Sequence, residues 1–422
     1  WVSSDYNIDL PNPETVWRTS SKTLTPDMDA NSLGGSINVK SLSAFDRDGT
    51  YYSLSVDGSY DEHTEESSPK GSVSGSKVFG AEERFGVAGA LSWYERDFGS
   101  DNLETGGGWS FDDGDALLEE VETRDYTITR ERLGAAVNFD FRANDTTEMY
   151  FRNLYSEYTD NEVRQANIFE LDDGDGLTEG QSGIAAMERE HKDREETLEI
   201  FSSTVGMETR LDNWFMEYSL SYSKSSESTP HHLEAAVFSA DEFEPVSFAG
   251  TKMPNLRLPS DAFDSANFEL DEVEMAQQST EDEQISGRFD FAREADWGEL
   301  KFGGKLSRRD KFSDEDVWVY EDFSDFGIGD DALSLTPYAG SEIDNELARM
   351  GPAIKTSGLT RLVGGLDADE FYDDEGSLVG DFEVQEDIDA LYAMATWETD
   401  SMRLIGGIRY EATDFTASGT AL

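Results

Sequence analysis

The chain has 422 residues, with 33 Lys and Arg against 91 Asp and Glu, which gives a formal net charge of −58. This negative charge argues against nucleic acid or anionic lipid headgroups as partners, because both are bound through Lys and Arg. Without cysteine, the chain has no disulfide, thiolate metal site or cysteine nucleophile. The aromatic content of 12% is too high for a disordered acidic chain and favours a folded protein of two or three domains, or of one large β domain.

The first 46 residues lack a regular alternation of apolar and polar residues. They contain three prolines, and the pair Gly34-Gly35 precedes Ser36-Ile37-Asn38-Val39. Glycines in such a pair allow backbone conformations that other residues avoid. We therefore predict a tight turn leading into a short strand. The chain begins at Trp1 without a methionine, and we expect it to be part of a longer protein.

From residue 50 onward, apolar and polar residues alternate along successive segments. Leu300, Phe302 and Leu306, for example, alternate with Lys301 and Lys305. A period of two residues is typical of β-strands with one apolar face. The pattern predicts eleven strands, at residues 50–60, 70–80, 86–97, 125–142, 147–158, 193–211, 214–226, 280–294, 299–311, 387–399 and 402–415. No run of 18 apolar residues predicts a transmembrane helix.

The connections between the predicted strands alternate in length. Tight connections follow the fourth, sixth, eighth and tenth strands, at residues 144–146, 211–213, 294–298 and 400–401. Long acidic connections follow the third, fifth and ninth strands, at residues 97–124, 159–192 and 312–386, and another follows the seventh strand. Short turns on one side and long loops on the other are typical of a transmembrane antiparallel β-barrel. We therefore predict an all-β fold of this class.

One segment before the first strand resembles a known family. Residues 21–39 resemble the end of the plug domain of TonB-dependent outer-membrane receptors, through Thr25, Pro26, Asp27, Asp29, Gly34, Gly35 and Asn38. Residues 43–46, Ser-Ala-Phe-Asp, are similar to the junction between plug and first barrel strand, and residues 146–158 and 406–411 are similar as well. The match is close to the subclass common in Caulobacter-like, Xanthomonas-like and Sphingomonas-like bacteria.

The resemblance implies a barrel of about 22 strands around an N-terminal plug, of which this chain would supply about eleven. Residues 1–46 would be the C-terminal part of the plug domain. Residues 47–422 would be the N-terminal half of the barrel, with long acidic extracellular loops. The chain departs from the family in lacking most of the plug, the TonB-binding box and a C-terminal strand with a final aromatic residue.

The resemblance also implies active uptake of a scarce nutrient into the periplasm, either a siderophore–iron complex or an oligosaccharide. Its partners would be the TonB–ExbB–ExbD energising complex, the lipid bilayer of the outer membrane, the nutrient and a surface lipoprotein. No cofactor would be required. The sequence shows no nucleophile elbow, P-loop or zinc-binding helix, so we expect no enzymatic activity. The acidic loops favour neutral or cationic ligands.

The two faces of each strand predict where lipid and plug would lie. Arg or Lys on a lipid face costs about 2–4 kcal/mol at mid-bilayer, whereas a wet lumen tolerates charge. Leu300, Phe302, Leu404 and Ile408 are therefore expected to face lipid. Basic residues on the other face are expected to pair with plug carboxylates such as Asp27 and Asp29; they are Arg152, Arg288, Lys301, Lys305, Arg403 and Arg409.

Two pairs of residues in the predicted loops are candidate ligand-binding residues. Trp318 and Tyr320 lie in the longest loop and could stack on sugar rings or an aromatic chelate. They fit equally well a loop hairpin that packs on itself. His231 and His232 follow Pro230 at the start of another loop and could bind a metal chelate or haem. As adjacent histidines on an extended chain point apart, a solvated surface pair is the simpler interpretation.

An acidic turn, Asp172-Asp173-Gly174-Asp175-Gly176, is a candidate Ca²⁺ site, since closely spaced carboxylates with intervening glycines can wrap this ion. It lacks the ligand spacing of an EF-hand, and a solvated acidic turn is the simpler interpretation.

A secreted or surface Ca²⁺-dependent β-rich protein, such as an adhesin or a glycan-binding protein, is the alternative function. It would explain the acidic loops and the absence of cysteine, and it would be soluble without detergent. An enzyme embedded in a barrel is a third, weaker interpretation because no catalytic set is evident.

Overall fold

The computed structural model describes residues 16–31, 34–47, 49–112 and 114–420, and it describes only the backbone of residues 16–21 and 37–40. Strands make up 69% of the structure and helices 10%, so the predicted all-β class is confirmed. None of the helices in the described part of the chain is long and apolar enough to span a membrane.

Eighteen strands occur in the described residues. They are β1 (Val16–Ser21), β2 (Ser36–Ser41), β3 (Thr50–Asp61), β4 (Glu66–Phe79), β5 (Phe85–Glu104), β6 (Trp109–Asp112), β7 (Asp115–Leu118), β8 (Glu120–Asn144), β9 (Thr147–Leu171), β10 (Gly183–Leu211), β11 (Trp214–Ala249), β12 (Asn255–Arg257), β13 (Phe268–Ala295), β14 (Gly298–Tyr320), β15 (Ala339–Glu342), β16 (Pro352–Ile354), β17 (Phe382–Glu398) and β18 (Arg403–Gly419). The short helices are α1 (Asp330–Leu333), α2 (Thr356–Val363) and α3 (Asp374–Gly380).

Eleven of these strands form one antiparallel sheet in which each strand pairs with the next along the chain. The order is β3-β4-β5-β8-β9-β10-β11-β13-β14-β17-β18, and the short β12 pairs with β11. All eleven predicted strands are therefore confirmed. The pairs β1–β2, β6–β7 and β15–β16 form three separate two-stranded sheets.

The strands extend further than the sequence predicts. β11 continues to Ala249 and β13 begins at Phe268, so much of the long loop predicted after the seventh strand is paired strand. Similarly, β9 and β10 pair up to Leu171, inside the predicted loop 159–192. The predicted loop bounds were wrong because ladder hydrogen bonds continue through polar sequence that no longer alternates with a period of two.

The connections sort to two sides of the sheet, as predicted. On the turn side, β4–β5, β8–β9, β10–β11, β13–β14 and β17–β18 are joined by two to five residues, at 80–84, 145–146, 212–213, 296–297 and 399–402. On the connection side lie the longer segments 105–119, 172–182, 250–267 and 321–381, together with the short 62–65. The turn side and the connection side are thus the two halves of the sheet.

One face of the sheet is apolar on the turn side and open to the surroundings. Phe151, Val205, Leu220 and Leu306 follow one another across five neighbouring strands, with Gly287 between the last two. Their exposed fractions are 42–56%. The residues predicted to face lipid, Leu300, Phe302, Leu404 and Ile408, are exposed on this same apolar face.

The same face is covered on the connection side. β9 and β10 pair without a register shift from Thr147 to Leu171, so Phe169 lies on the same face as Phe151. Unlike Phe151, Phe169 is buried in a hydrophobic cluster. Residues from the connection 321–381, including Tyr338 and Leu359, complete this cluster. The buried core therefore sits between the apolar face and the connection.

Candidate functional site

The N-terminal segment, residues 22–46, is held by ion pairs against the polar face of the sheet, which is the face opposite the apolar one. Lys301 Nζ donates to Asp27 Oδ2 at 2.5 Å, and Lys305 Nζ donates to Asp29 Oδ2 at 2.8 Å. Arg409 Nη2 lies 3.3 Å from Asp29 Oδ1. Thr25 donates to Asp27 and fixes its carboxylate. The predicted pairing of Asp27 and Asp29 with basic strand residues is thus confirmed for Lys301, Lys305 and Arg409.

The rest of the predicted plug motif forms a turn and a strand. Arg409 also donates to the carbonyl of Pro26 at 3.4 Å. Gly35 has a φ of +128°, and β2 begins at the next residue, which confirms the predicted turn into a strand. Gly34 is exposed, and the backbone of Asn38 pairs with that of Thr19 in β1. Residues 1–15, 32–33 and the side chain of Asn38 lie outside the described residues.

The predicted junction, residues 43–46, is anchored on the same polar face at β5 and β8. It forms a single helical turn, and Ala44 is fully buried. The Ala44 amide donates to Asp140 Oδ2 at 3.0 Å, and Asn138 Nδ2 donates to the Leu42 carbonyl at 2.9 Å. Arg152 in β9 forms an ion pair with Asp140. The N-terminal segment therefore contacts strands near both ends of the sheet.

Trp318 and Tyr320 lie in strand β14, so their predicted position in a loop was wrong. Pairing of β13 with β14 continues to Tyr320 because apolar positions on both strands are covered by the connection. Tyr320 is buried and stacks on Phe371 at 4.6 Å between ring centroids. Trp318 is half-buried and contacts Tyr372 at 5.8 Å. Of the two predicted aromatics, Trp318 is the accessible one.

His231 and His232 lie within β11, so their predicted position at the start of a loop was wrong as well. Their side chains diverge as predicted. His231 packs edge-on against Trp318 at 5.1 Å between ring centroids, which places two predicted ligand-binding residues side by side. His232 Nε2 lies 2.9 Å from Glu234 Oε2. Burial would raise the pKa of Glu234, but the hydrogen bonds from His232 and Lys192 lower it to about 2.

The acidic turn at residues 172–176 is partly exposed and begins with Asp172 and Asp173 in the left-handed region, each at a φ of 53°. The amide of Asp175 donates to the carbonyl of Asp172 at 3.0 Å. The structure does not bring the three carboxylates together as one ligand set. Calcium binding at Asp172, Asp173 and Asp175 stays a prediction.

Polar side chains on the apolar face bind the long connection on the connection side. Arg189 is 1% exposed, and it donates to Asn167 Oδ1 at 3.2 Å and to the backbone carbonyls of Met350 and Pro352. Asn167 Nδ2 also donates to the Met350 carbonyl at 3.1 Å. Burial lowers the pKa of Arg189 to about 10. These hydrogen bonds fix the segment around residue 350 to β9 and β10.

A second set of contacts lies beside the first. Gln165 exchanges hydrogen bonds with the backbone of Ile354, at 3.0 and 2.9 Å. His191 contacts Gln165 through Nδ1 and Thr356 Oγ1 through Nε2, both at 2.8 Å. Thr356 donates in turn to Asp193 at 2.5 Å. Burial lowers the pKa of His191, which favours the neutral imidazole.

Sequence reasoning missed one cluster of potential metal ligands. His63, Asp101 and Asp125 each offer one ligand atom, and these atoms lie within 4.8 Å of one another; no other such group of three occurs in the described ranges. Burial, and then the charge of Asp101, raise the pKa of Asp125 to about 6. No spacing motif joins a residue in a turn to two residues on separate strands, so the sequence offered no signal for this cluster.

No protein-family model matches the chain, and no curated protein is detectably similar to it. The function therefore has to be inferred from the residues and their arrangement.

Proposed function

We propose that the chain forms part of a TonB-dependent outer-membrane receptor that imports a scarce nutrient. The observation that carries the proposal is the open apolar face on the turn side, which runs across all eleven strands. On β11 it extends from Trp214 to Tyr222, eight residue steps of about 3.3 Å, or about 26 Å. These nine residues agree with the roughly 9–11 residues that a tilted strand needs to cross the hydrocarbon core of a bilayer.

Charged residues mark the upper limit of the apolar face. Lys224 pairs with Glu281 at 2.6 Å, and Arg308 pairs with Asp387 and Asp389 at 3.2 and 2.8 Å. These groups border the apolar stretches of their strands toward the connection side. Charged and polar residues at this level would meet headgroups and water, whereas a soluble sheet has no reason to gather its exposed apolar side chains below such a boundary.

The N-terminal segment supports the proposed role of a plug. Asp27 and Asp29 pair with basic residues on the polar face, and the junction at Ala44 is buried against β5 and β8. In the proposed receptor this face lines the lumen, and β3 and β18, each paired on one side, continue into further strands of a 22-stranded barrel. The TonB–ExbB–ExbD complex would supply the energy by acting on the plug.

The ligand would be a siderophore–iron complex or an oligosaccharide. Trp318 and His231 form an aromatic pair that could stack on a sugar ring or an aromatic chelate. We propose this pair, which lies on the apolar face and therefore outside the proposed lumen, as an outer ligand contact, and a surface lipoprotein as an additional partner. The excess of acidic residues favours neutral or cationic ligands.

The test is uptake by a deletion strain under iron starvation and on single glycans as carbon sources. We expect loss of uptake in one of the two conditions, restored by the wild-type gene but not by a gene with Trp318→Ala and His231→Ala. Unchanged uptake in every condition would overturn the transport role. Retained uptake in the double variant alone would overturn only the assignment of the ligand contact.

The alternative, a secreted Ca²⁺-dependent adhesin or glycan-binding protein, makes opposite predictions. Such a protein stays monodisperse without detergent and gains thermal stability when Ca²⁺ is added. The proposed receptor requires detergent or lipid, because the open apolar face would otherwise associate between copies. Size-exclusion chromatography with and without detergent, and with and without Ca²⁺, separates the two.

A further inference from the structure

We propose that His63, Asp101 and Asp125 bind one divalent transition-metal ion of the Zn²⁺ type. The three side chains come from the turn between β3 and β4, the end of β5 and the start of β8, and their ligand atoms lie within 4.8 Å of one another. An imidazole nitrogen with two carboxylate oxygens is a ligand set that Zn²⁺ and its first-row neighbours accept. Water would complete the coordination.

The two aspartates are placed by the sheet. Asp101 and Asp125 are direct partners in the pairing of β5 with β8, so their side chains lie on the same face. The side chain of Asp101 is 8% exposed, and among the described residues no donor makes a well-aligned hydrogen bond to its Oδ1, although His63 Nε2 lies 3.2 Å away. A buried carboxylate oxygen without a donor is costly unless a cation satisfies it. Two like charges opposite each other add to that cost.

His63 lies over the two aspartates because residue 99, on the strand beneath it, is a glycine. A Cβ built on Gly99 would lie 2.6 Å from His63 Cδ2 and 2.8 Å from Thr64 Cγ2, so only glycine leaves room for the turn to pack on the sheet. Asp61 accepts hydrogen bonds from the amides of His63 and Thr64 and fixes the turn. As a result His63 Nε2 lies 3.2 Å from Asp101 Oδ1.

The ion would join three parts of the chain. Besides the turn and the two strands, the long connection reaches this place, because the amide of Glu346 donates to Asp101 Oδ2 at 2.6 Å. Asn345 Nδ2 donates to the carbonyl of Arg124 at 3.1 Å. A metal ion at Asp101 would therefore hold the β3–β4 turn close to the segment that covers the apolar face. This inference does not depend on the proposed transport function.

The test uses the full chain in detergent, with a histidine-free tag and after removal of metals with EDTA. Calorimetric titration with Zn²⁺ is expected to give one ion per chain. His63→Gln and Asp125→Asn are each expected to weaken the affinity at least about tenfold, the effect that loss of even an outer-shell partner has at metal sites. His63 lies in an exposed turn, so the His63→Gln variant should fold, which the circular dichroism spectrum of the metal-free protein checks.

One variant serves as a matched control, and another tests the position of the turn. His232→Gln removes a histidine that also contacts a carboxylate, that of Glu234, and should leave Zn²⁺ affinity and stoichiometry unchanged. Gly99→Ala keeps all three ligands but pushes the turn away, and should weaken binding nonetheless. In addition, Co²⁺ should give d–d absorption bands with the wild-type protein that change in His63→Gln, because a nitrogen ligand is lost.

Three outcomes would overturn the proposal. The first is a wild-type affinity no higher than that of His63→Gln, which would leave only a simple contact between His63 and Asp101. The second is an equal loss in His232→Gln, which would show that Zn²⁺ binds to histidines in general. The third is a Co²⁺ spectrum that is the same in the wild type and in His63→Gln.

Discussion

The two halves of the apolar face follow the same rule of alternation and meet different surroundings. On the turn side, Phe139, Phe151 and Leu220 are exposed, and none is covered by another part of the described chain. On the connection side, Phe169 and Phe238 occupy the same kind of position and are buried beneath the connections. The protein therefore encloses its core in only one half of the sheet.

This difference shows that the alternation of apolar and polar residues predicts an apolar face of the sheet but does not predict what that face contacts. The connection side is covered by polypeptide, because long segments such as 321–381 return over it. The turn side has connections of only two to five residues, which are too short to return over the strands. An apolar face that the chain cannot cover itself needs another apolar phase, and in the proposed receptor lipid supplies it.

The largest difference in the free energy of unfolding is expected between two Phe→Ala variants, one in each half of the apolar face. Phe238→Ala removes a fully buried side chain and leaves a cavity, so the free energy of unfolding should fall by about 3–5 kcal/mol. Phe139→Ala, on the turn side, should lose only the transfer free energy, at most about 1.5–3 kcal/mol, because in the proposed receptor acyl chains would fill the space. Urea unfolding in lipid vesicles measures both. Equal losses would contradict the distinction between the halves.

A charge placed on the turn side tests whether lipid covers it. Leu220→Arg should lower the free energy of unfolding in vesicles by about 2–4 kcal/mol if the side chain faces the bilayer. Ser219→Arg is the matched control, since Ser219 is the neighbouring residue on the polar face, and it should cost clearly less. If Leu220→Arg were harmless and made the protein soluble without detergent, the membrane function would be wrong.

The strands could be predicted because alternation is a local signal, and it is strongest on the turn side, where one face needs apolar residues. It weakens on the connection side for a physical reason. Arg189, His191 and Gln165 occupy positions on the apolar face, where backbone carbonyls and a hydroxyl group of the connection satisfy them. Such partners are distant in sequence, and a reading of local periodicity therefore takes these segments for loops.

Of the candidate site, only the ion pairs to the N-terminal segment could be predicted from the sequence, because they depend only on the charge of a residue and on the strand face that it occupies. Lys301 and Lys305 had to lie opposite Leu300 and Phe302, and an acidic segment was the natural partner. The cluster at His63 could not be predicted, because its members meet through strand register and through the space left at Gly99. Neither is visible in the residues near His63.

Lowering the pH should destabilise the connection side of the sheet through protonation of His191. Burial, the dominant cause, holds its pKa in the folded protein below the ordinary value of 6.5. The hydrogen bond with the Arg164 carbonyl and the charge of Asp193 oppose this shift, and the charge of Arg164 assists it. The stability that the neutral imidazole contributes is therefore complete above pH 6.5 and is lost as the pH falls below 6.5, by up to about 1.4 kcal/mol per pH unit. Hydrogen exchange of residues 350–356 between pH 7.5 and 5 measures this loss.

His191→Gln should remove that dependence, because glutamine keeps a hydrogen-bonding side chain that does not titrate. His232→Gln should keep it, since His232 contacts Glu234 and not the connection. An unchanged pH dependence in His191→Gln would show that His191 is not its source. Carboxyl groups with raised pKa values, such as Asp125, cannot replace it, because their protonation stabilises the folded protein as the pH falls.

The smallest effect on stability is expected for the N-terminal segment, and it should be local. Asp27→Asn with Asp29→Asn removes the pairs with Lys301, Lys305 and Arg409, which are partly exposed and worth about 0.2–1 kcal/mol each. Global unfolding should shift little, whereas hydrogen exchange of residues 22–31 should become faster. Asp57→Asn, on exposed strand β3, should leave that exchange unchanged. A plug must be released by a pull that leaves the sheet intact, so a large global loss in the double variant would argue that this segment is a fixed part of the fold.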